Sequence, residues 1–300
     1  MAKRDGTVGY IELVLTSIIW GVTYVLMKYA LSFIDTQQIA FSRFLIAAII
    51  FVPILIFGRE RYTAKEIVKI ILLALTGVLL YQLLFIQGEN GLTAGNASFI
   101  VSFEPIFIAV LGLSLKKDRL AWTVVAGLVI STIGMIILLR PNSLTQSELI
   151  SAVLVLLAAL SWAIFTILGK DLLEKHNPLN VTGYVSVVGL IMLLPFVNSG
   201  ILSLFSIRNT YLIIALLFIG VFATFLGYLL WFDGLKKVKP VTAGSTLYIT
   251  PFVTVISASV LISEPISLAT VIGGIVILAG LALTGIDPSK VVRLYHKITT

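Results

Sequence analysis

This chain lacks most of the residues from which redox and catalytic sites are built. It contains no cysteine, so disulfide bonds and thiolate metal ligands are excluded. Its two histidines, His176 and His296, lie far apart in polar segments and make a poor metal site. The sequence has no His-Glu-x-x-His motif, no Gly-x-Ser-x-Gly elbow and no P-loop. We therefore expect no cofactor, no resident metal, no ATP hydrolysis and no enzymatic activity.

Charged residues are also scarce. Only 12% of the 300 residues are charged, 59% are hydrophobic, and the mean hydropathy is +1.09. Soluble domains are not this apolar, so the expected solvent is a lipid bilayer. The net charge of +7 fits basic cytoplasmic loops better than a nucleic-acid partner, so we expect no nucleic acid to bind.

The sequence is rich in long apolar segments. A helix needs about 20 mostly apolar residues to cross the hydrocarbon core. Short polar segments such as "GRERYTAKE" (58–66) separate the runs. We predict an all-α integral membrane protein with ten spans, at 10–32, 37–57, 66–87, 93–115, 120–139, 149–169, 180–198, 210–232, 241–262 and 268–286.

The distribution of basic residues predicts the orientation of these spans. With both termini inside, the outside segments hold only Arg140 and Arg208, while Lys28 and Arg43 lie within spans. The other basic residues all fall inside, at Lys3, Arg4, Arg59, Arg61, Lys65, Lys69, Lys116, Lys117, Arg119, Lys170, Lys175, Lys236, Lys237, Lys239, Lys290, Arg293 and Lys297. This bias predicts a multi-pass protein of the plasma (cytoplasmic) membrane with both termini in the cytoplasm.

The chain also repeats itself. Trp20 and Lys28 of span 1 match Trp162 and Lys170 of span 6 at an offset of 142, Gly91-Leu92 matches Gly234-Leu235 at 143, and Pro105 matches Pro251 at 146. We predict a first five-helix repeat at 1–140 and a second at 141–300 that ends in a short basic cytoplasmic tail. Because five is odd, the second repeat should be inverted, an arrangement typical of secondary transporters.

A resemblance to a known family spans essentially the whole chain. The five segments that carry it are "IIWGVTYVLMKYAL" (18–31), "FSRFLIAAIIF" (41–51), "FEPIFIAVLG" (103–112), "LSWAIFTILGK" (160–170) and "YITPFVTVISASVLISEPIS" (248–267). The sequence resembles the ten-helix, EamA-type members of the drug/metabolite transporter superfamily. The resemblance implies a central cavity lined by spans 1, 3, 4, 6, 8 and 9. It also implies export or exchange of amino acids, metabolites, nucleotide sugars or toxic compounds.

The small multidrug resistance relatives set two further expectations. They carry an essential proton-coupling glutamate where this chain has Trp20 and Trp162, so their coupling mechanism cannot be carried over. Spans 5 and 10 resemble their dimerising last helix, because both hold small residues such as Gly134 and Gly280. We expect these two spans to pack on each other and join the halves, and the protein to be a monomer or weak dimer.

Glu104 is the least expected residue of the apolar spans. It lies about 16 Å into span 4 at 1.5 Å per residue, close to the middle of a hydrocarbon core of about 30 Å. A charge there costs about 3 kcal/mol on insertion scales, so the side chain should face protein or water. Three interpretations stay open: Glu104 binds the amino or cationic part of a substrate, it carries a coupling proton, or it pairs with Arg43 or Lys28.

Two prolines and two polar stripes predict a wetted cavity around Glu104. Pro105 and Pro251 each remove a backbone hydrogen bond and should kink spans 4 and 9. On a continuous helix, Asn96 shares the face of Glu104. The corresponding face of span 9 is polar as well, and it places Thr250 opposite Glu104.

Further candidates for the cavity come from residues spaced four apart. One stripe holds Trp20, Tyr24 and Lys28, the second holds Trp162, Thr166 and Lys170, and the remaining candidates are Tyr81, Tyr228 and Tyr248. Snorkelling to the interface is the alternative for both lysines.

Three residues outside these stripes have separate interpretations. Arg43 binds an anionic group, snorkels to the interface, or pairs with an acid such as Glu89 or Asp35. Trp231 is expected to be an interface anchor. Glu264 is expected to cap the N-terminus of span 10.

These observations favour a secondary transporter that exports or exchanges a small metabolite by alternating access. An apolar and aromatic lining with one acid and few bases favours an amino acid or a similar compound, with protons as a possible coupling ion. Export of organic cations or drugs and exchange of nucleotide sugars or sugar phosphates are the alternatives within this class. A channel or a structural membrane protein is the alternative from another class.

Overall fold

The computed structural model describes residues 2–58, 60–116, 122–139, 145–197 and 207–284. Within these ranges the regular structure is helical and no strand occurs. If each interrupted helix is counted once, the ranges contain α1 (Ala2–Ala30), α2 (Thr36–Phe57), α3 (Ala64–Asn90), α4 (Ala94–Val101 and Glu104–Lys116), α5 (Trp122–Leu139), α6 (Gln146–Leu173), α7 (Pro178–Leu193), α8 (Thr210–Lys237), α9 (Pro240–Leu261) and α10 (Leu268–Thr284).

Each predicted span falls on one of these helices. The largest differences are at the start of α1 and the end of α8, where the helix continues past the apolar run. Among the described residues, eight helices are long and apolar enough to cross a membrane, and the apolar parts of α5 and α10 are shorter, at Val125–Gly134 and Leu268–Gly280. The predicted basic tail lies outside the described residues, as do Arg59, Lys117, Arg119 and Arg140.

Polar side chains fix where several helices begin. Thr63 precedes α3 and Thr145 precedes α6, and each accepts a hydrogen bond from the backbone N–H of a glutamate three residues later, Glu66 and Glu148. Each glutamate carboxylate accepts in return from the threonine N–H. These capping boxes satisfy backbone donors that a helix start leaves unpaired.

The helices α3 and α8 each contain a stretch of π-helix, at Ala74–Leu80 and Phe218–Leu226. A π-helical turn displaces carbonyl groups from the regular hydrogen-bond ladder and makes them available to other donors. The Tyr228 hydroxyl donates to Gly77 O at 2.9 Å, and Trp20 Nε1 donates to Ala223 O at 2.9 Å. The two irregular stretches thus hold aromatic side chains in the centre of the bundle.

The helices α4 and α9 are interrupted near their middle. In α4 the ladder breaks at residues 102–103, immediately before Glu104-Pro105. In α9 the 3₁₀ turn Leu247–Ile249 precedes Pro251, which lies in the first turn of the next helical piece. Proline has no N–H to donate to the preceding turn, so it fits best where a helix starts again.

The expected packing of α5 on α10 is confirmed. A Cβ added at Gly134 would lie 2.6 Å from Ile277 N, and one added at Gly280 would lie 2.6 Å from Gly127 O. Ser131 Oγ donates to Ile277 O at 3.1 Å. The two backbones are therefore in direct contact, which only small residues allow.

Candidate functional site

A cavity lies in the centre of the bundle, where the two halves of the chain meet. Its walls come from α1, α2, α3, α4, α6, α8 and α9. The resemblance implied the same set without α2, which contributes Arg43. The lining residues are Trp20, Thr23, Tyr24, Met27, Arg43, Tyr81, Gln82, Phe85, Ser98, Val101, Ser102, Glu104, Trp162, Tyr228, Leu247 and Thr250.

The cavity is extended but narrow. Its empty space totals about 510 Å³, of which only about 30 Å³ is open to the centre of a water molecule. The open space holds about two water molecules, since each needs about 10–15 Å³ by this measure, and it is too small for a metabolite such as an amino acid. The walls must move apart before such a molecule can enter.

Glu104 lies in this cavity at the restart of α4 and is 2% exposed. The Tyr81 hydroxyl is hydrogen-bonded to its carboxyl group. Its Oε1 has no hydrogen-bond partner, and among the described ion pairs none joins it to Arg43 or Lys28. The interpretation of Glu104 as the structural partner of either base has no support in this geometry.

Arg43 enters the cavity from α2 and is 3% exposed. Its Nε donates to Thr224 Oγ1 at 2.8 Å, and its Nη1 donates to Gln82 Oε1 at 2.6 Å. The amide of Gln82 in turn donates to the Tyr228 hydroxyl at 2.9 Å. The prediction that Arg43 snorkels or pairs with an acid is wrong, since neutral groups hold it inside the bundle. A guanidinium stays charged in proteins, so the cavity contains a cation without a bonded counter-ion in the described structure.

Aromatic rings form the apolar wall of the cavity. The rings of Trp20 and Trp162 lie edge to face with centroids 5.1 Å apart, and Tyr81 packs on Trp162 at 4.9 Å. Trp231 lies behind them, 5.5 Å from Trp20 and fully buried. Its predicted role as an interface anchor is therefore wrong. The position of Trp231 near a helix end suggested an anchor, but the side chain points into the bundle.

The structure brings eight of the predicted site residues to the cavity: Trp20, Tyr24, Arg43, Tyr81, Glu104, Trp162, Tyr228 and Thr250. Four others lie elsewhere. Lys28 bonds to the end of α3, Asn96 lies in the first turn of α4, Thr166 is buried within α6, and Tyr248 packs against the cluster around Phe103.

The break in α4 explains why its polar stripe was predicted incorrectly. The stripe through Asn96 assumed a continuous helix up to Glu104. The interruption at residues 102–103 changes the register, so Ser98 and Ser102 line the cavity in place of Asn96. The two serines are four residues apart, a spacing that predicts a shared helix face, so the sequence alone could have identified them as a polar stripe.

The polar stripe of α9 also has a different role from the predicted one. Thr254 Oγ1 donates to Gly21 O at 3.0 Å, and Thr250 Oγ1 donates to Ser17 O at 3.3 Å. These bonds attach α9 to α1. Of the two threonines, only Thr250 also lines the cavity.

Comparison with known proteins identifies the family of this chain. The profile of the EamA-like transporter family matches residues 7–140 and 149–286. The chain belongs to this family. The match covers both halves, so the predicted family is confirmed and the chain contains two EamA-like repeats.

Individual relatives agree with this assignment. An "Uncharacterized transporter" of Archaeoglobus fulgidus is 34% identical over 92% of this chain and 96% of its own length. A "Probable amino-acid metabolite efflux pump" of Salmonella typhimurium is 28% identical over 94% of both chains. One solved crystal structure superimposes with a TM-score of 0.65 over 95% of this chain and 98% of its own, at 15% identity, which shows a shared fold.

In this family member the two matched lysines have the same role. Lys28 Nζ donates to the carbonyls of Glu89 at 3.1 Å and Asn90 at 2.9 Å, at the C-terminus of α3. Lys170 Nζ donates to Leu235 O, Lys236 O and Val238 O at 2.8–3.0 Å, at the C-terminus of α8. Both lysines therefore cap helix ends, where carbonyls lack partners and the helix dipole favours a cation. We call the two regions the Lys28 end and the Lys170 end.

The Lys170 end also holds a cluster of ionisable loop residues. His176 Nδ1 lies 3.2 Å from Glu60 Oε2 and its Nε2 lies 3.4 Å from Glu66 Oε1, while its ring stacks on Tyr62 at 4.3 Å. Burial alone would raise the pKa of Glu60. Hydrogen bonds from Asn177 N–H, the Tyr62 hydroxyl and other donors outweigh this and hold the pKa below its ordinary value of 4.5.

Glu264 caps a different helix from the predicted one. Its carboxylate accepts from Ala94 N at 3.1 Å and Gly95 N at 3.2 Å, at the start of α4 and not of α10. The physical reason is the one expected, a carboxylate at a positive helix end. The helix it serves is a tertiary neighbour, which sequence proximity cannot identify.

Proposed function

We propose that this chain is a secondary transporter for a small zwitterionic metabolite, an amino acid above all, working by alternating access through the central cavity. The observation that carries the proposal is the presence of Arg43 and Glu104 in one cavity without an ion pair between them. A buried acid and a buried base, held apart by other partners, suit a ligand that itself carries both signs, because each end of the ligand offers a partner to one of them.

Each charged end of an amino acid has a matching group in the cavity. A substrate carboxylate suits the Arg43 guanidinium, whose planar donors fit carboxylate oxygens. A substrate ammonium suits Glu104, whose Oε1 has no partner in the described structure. Trp162 Nε1 is a further unpaired donor, and its ring offers an apolar surface to the side chain of the amino acid.

The membrane arrangement of this proposal is the one the sequence predicts. Ten helices cross the plasma membrane as two inverted repeats, 1–140 and 141–300, with both termini in the cytoplasm. The excess of lysine and arginine in the segments assigned to the inside supports this orientation. It places the Lys170 end in the cytoplasm and the Lys28 end outside.

Export or exchange is the proposed direction, and a monomer or weak dimer the proposed state. The name of the Salmonella typhimurium relative, an amino-acid metabolite efflux pump, supports export. A channel would need a continuous water path, whereas this cavity is narrow. A sugar phosphate or an organic cation would leave one of the two cavity charges without a partner.

The experiment is a thermal-stability screen of purified, detergent-solubilised protein. L-leucine, L-leucine methyl ester, N-acetyl-L-leucine, glucose 6-phosphate and tetraphenylphosphonium are added separately. We expect L-leucine alone to stabilise strongly, because a ligand at a hundred times its Kd adds about 2.7 kcal/mol. The ester removes the anionic group and the acetyl derivative removes the cationic one. Stabilisation by the phosphate or the phosphonium without any by leucine would contradict the proposal.

A further inference from the structure

A second buried carboxylate lies outside the cavity, at the Lys28 end. Glu89 is the penultimate residue of α3 and is fully buried. Neither of its carboxylate oxygens has a hydrogen-bond partner among the residues that the structure describes. Burial of an ionised carboxylate without donors is costly, so the neutral, protonated form is the one that fits these surroundings.

Two cations lie near Glu89, but other groups hold both. Lys28 donates to the backbone carbonyls of Glu89 and Asn90 and forms no ion pair with the carboxylate. Arg43 acts on Glu89 electrostatically but is hydrogen-bonded to neutral side chains. The other charge acting on Glu89 is Glu264, which is itself acidic and caps α4.

The second repeat shows that the fold does not require a carboxylate at this position. Residue 89 corresponds to Phe232 at the offset of 143 that aligns Gly91-Leu92 with Gly234-Leu235. Phe232 is fully buried and stacks on Phe165 at 4.9 Å. The lysine cap is present at both helix ends, so an apolar residue is compatible with the same architecture.

We propose that Glu89 is the proton-binding group of this transporter. It holds a proton while the Lys28 end is closed, as it is here, and releases that proton to water when that end opens and Lys28 can approach the ionised carboxylate. Glu89 does not line the cavity, so a substrate cannot reach it, whereas a proton has only to cross the end of one helix.

The proton is linked to substrate binding through Arg43, and this part of the inference rests on the proposed function. An ionised Glu89 attracts the Arg43 guanidinium and competes with a substrate carboxylate in the cavity. A protonated Glu89 leaves the whole positive charge of Arg43 to the substrate. Proton and substrate therefore strengthen each other's binding, and by linkage the effect is reciprocal. Because both then move in the same direction, export is driven by the outward gradient of the substrate or by exchange, and not by an inward proton gradient.

The first experiment needs no substrate. Infrared spectroscopy near neutral pH records the carbonyl absorption of a protonated carboxyl group in two proteins. One is the single variant Glu104→Gln, and the other is the double variant that carries both Glu104→Gln and Glu89→Gln. We expect an absorption in the single variant that the double variant lacks. We also expect Glu89→Gln alone to keep the wild-type melting temperature, because a neutral amide replaces a neutral carboxyl. No difference between the two spectra, or failure of Glu89→Gln to fold, would overturn the proposal.

Glu264→Gln is the matched control at the same end. Its carboxylate is held by two backbone N–H groups, so the substitution should lower the melting temperature but leave the infrared absorption in place. If Glu264→Gln lost the absorption as Glu89→Gln does, the absorption could not be assigned to Glu89, and the proposal would fail.

The second experiment measures proton uptake when L-leucine is added to weakly buffered protein. At alkaline pH, where the infrared absorption of the unliganded protein is being lost, we expect proton uptake and a leucine affinity that falls by up to about tenfold per unit of rising pH, as one linked proton allows. Glu89→Gln should take up no proton and bind with a pH-independent affinity. Proton release on binding, or the same pH dependence in both proteins, would overturn the coupling. If leucine does not bind, the proposed substrate fails, while the infrared result still decides the role of Glu89.

Discussion

The Lys28 end and the Lys170 end share a lysine cap but differ in the residue buried beside it. At each end a lysine from a matched position donates to the last carbonyls of a helix. Beside the Lys28 cap lies the buried Glu89, and at the corresponding place beside the Lys170 cap lies Phe232. Features that both repeats share therefore belong to the architecture. A costly group present in only one repeat needs a functional explanation.

The same comparison applies in the middle of the bundle. Helices α4 and α9 both restart before a proline, but the residue at the restart is Glu104 in one repeat and Thr250 in the other. The shared break shapes the cavity, and the unshared carboxylate gives it a charge. Substitutions that make the repeats more alike, or that remove a shared feature, test this division.

Glu104→Gln should have the largest effect on binding, because it makes the first repeat as uncharged as the second. Loss of one partner from a buried charge pair costs about 2–5 kcal/mol, so leucine affinity should fall on the order of a hundredfold or more. Isothermal titration calorimetry measures this directly. Thr250→Val is the matched control and should change affinity by a few-fold at most. If both variants lost the same amount of leucine affinity, Glu104 and Thr250 would not differ in function as the comparison of the repeats requires.

Removal of either lysine cap should destabilise the protein. Lys170 bonds to three carbonyls and Lys28 to two. Hydrogen bonds to a charged group contribute about 1.5–3 kcal/mol, so Lys170→Met should lower the melting temperature more than Lys28→Met. The exposed Lys65 provides the control, and Lys65→Met should have little effect. An unchanged melting temperature in both cap variants would mean that the caps do not hold the helix ends.

The contact between α5 and α10 can be tested at a glycine. Gly280→Ala places a Cβ 2.6 Å from Gly127 O and Ser131 N, and such overpacking costs about 1–3 kcal/mol. Gly112→Ala is the control, because its Cβ would meet only Ile167 Cδ1 at 3.6 Å. Thermal unfolding should separate the two variants. Equal stability would show that the two helices can move apart at no cost.

The smallest expected effect concerns pH at the Lys170 end. The pKa of Glu60 lies below 4.5 in the folded protein. Its ionised form therefore stabilises the fold above pH 4.5, and this stabilisation is lost as the pH falls through the folded pKa. The melting temperature of Glu60→Gln should accordingly fall less than that of the wild type on acidification below pH 4.5. If the melting temperatures of both proteins fell equally, Glu60 would not contribute to the loss of stability in acid.

Hydrophobic runs predict the helices well because a bilayer imposes one requirement, a continuous apolar segment of sufficient length. The packing of α5 on α10 was predictable for a similar reason, since only small residues allow two backbones to touch. The repeat pattern also pointed to Trp20 and Trp162 as cavity residues, and the position of a charge in the middle of an apolar span pointed to Glu104.

Side-chain direction was harder to predict, because it depends on helix register and on tertiary partners. The break in α4 turned Asn96 away from the cavity and brought Ser98 and Ser102 to it. The partners of Arg43 are Gln82 and Thr224, from α3 and α8. No spacing in the sequence connects these residues, so a charged pair was predicted where neutral donors and acceptors occur.

Counterflow of radiolabelled L-leucine in proteoliposomes preloaded with unlabelled leucine tests the central claim most directly. We predict transient accumulation by the wild-type protein, little by Glu104→Gln, and no competition from either L-leucine methyl ester or N-acetyl-L-leucine. Accumulation by Glu104→Gln at the wild-type rate would contradict the account, and so would strong competition by either derivative. Either result would mean that the cavity does not recognise both charged ends of an amino acid.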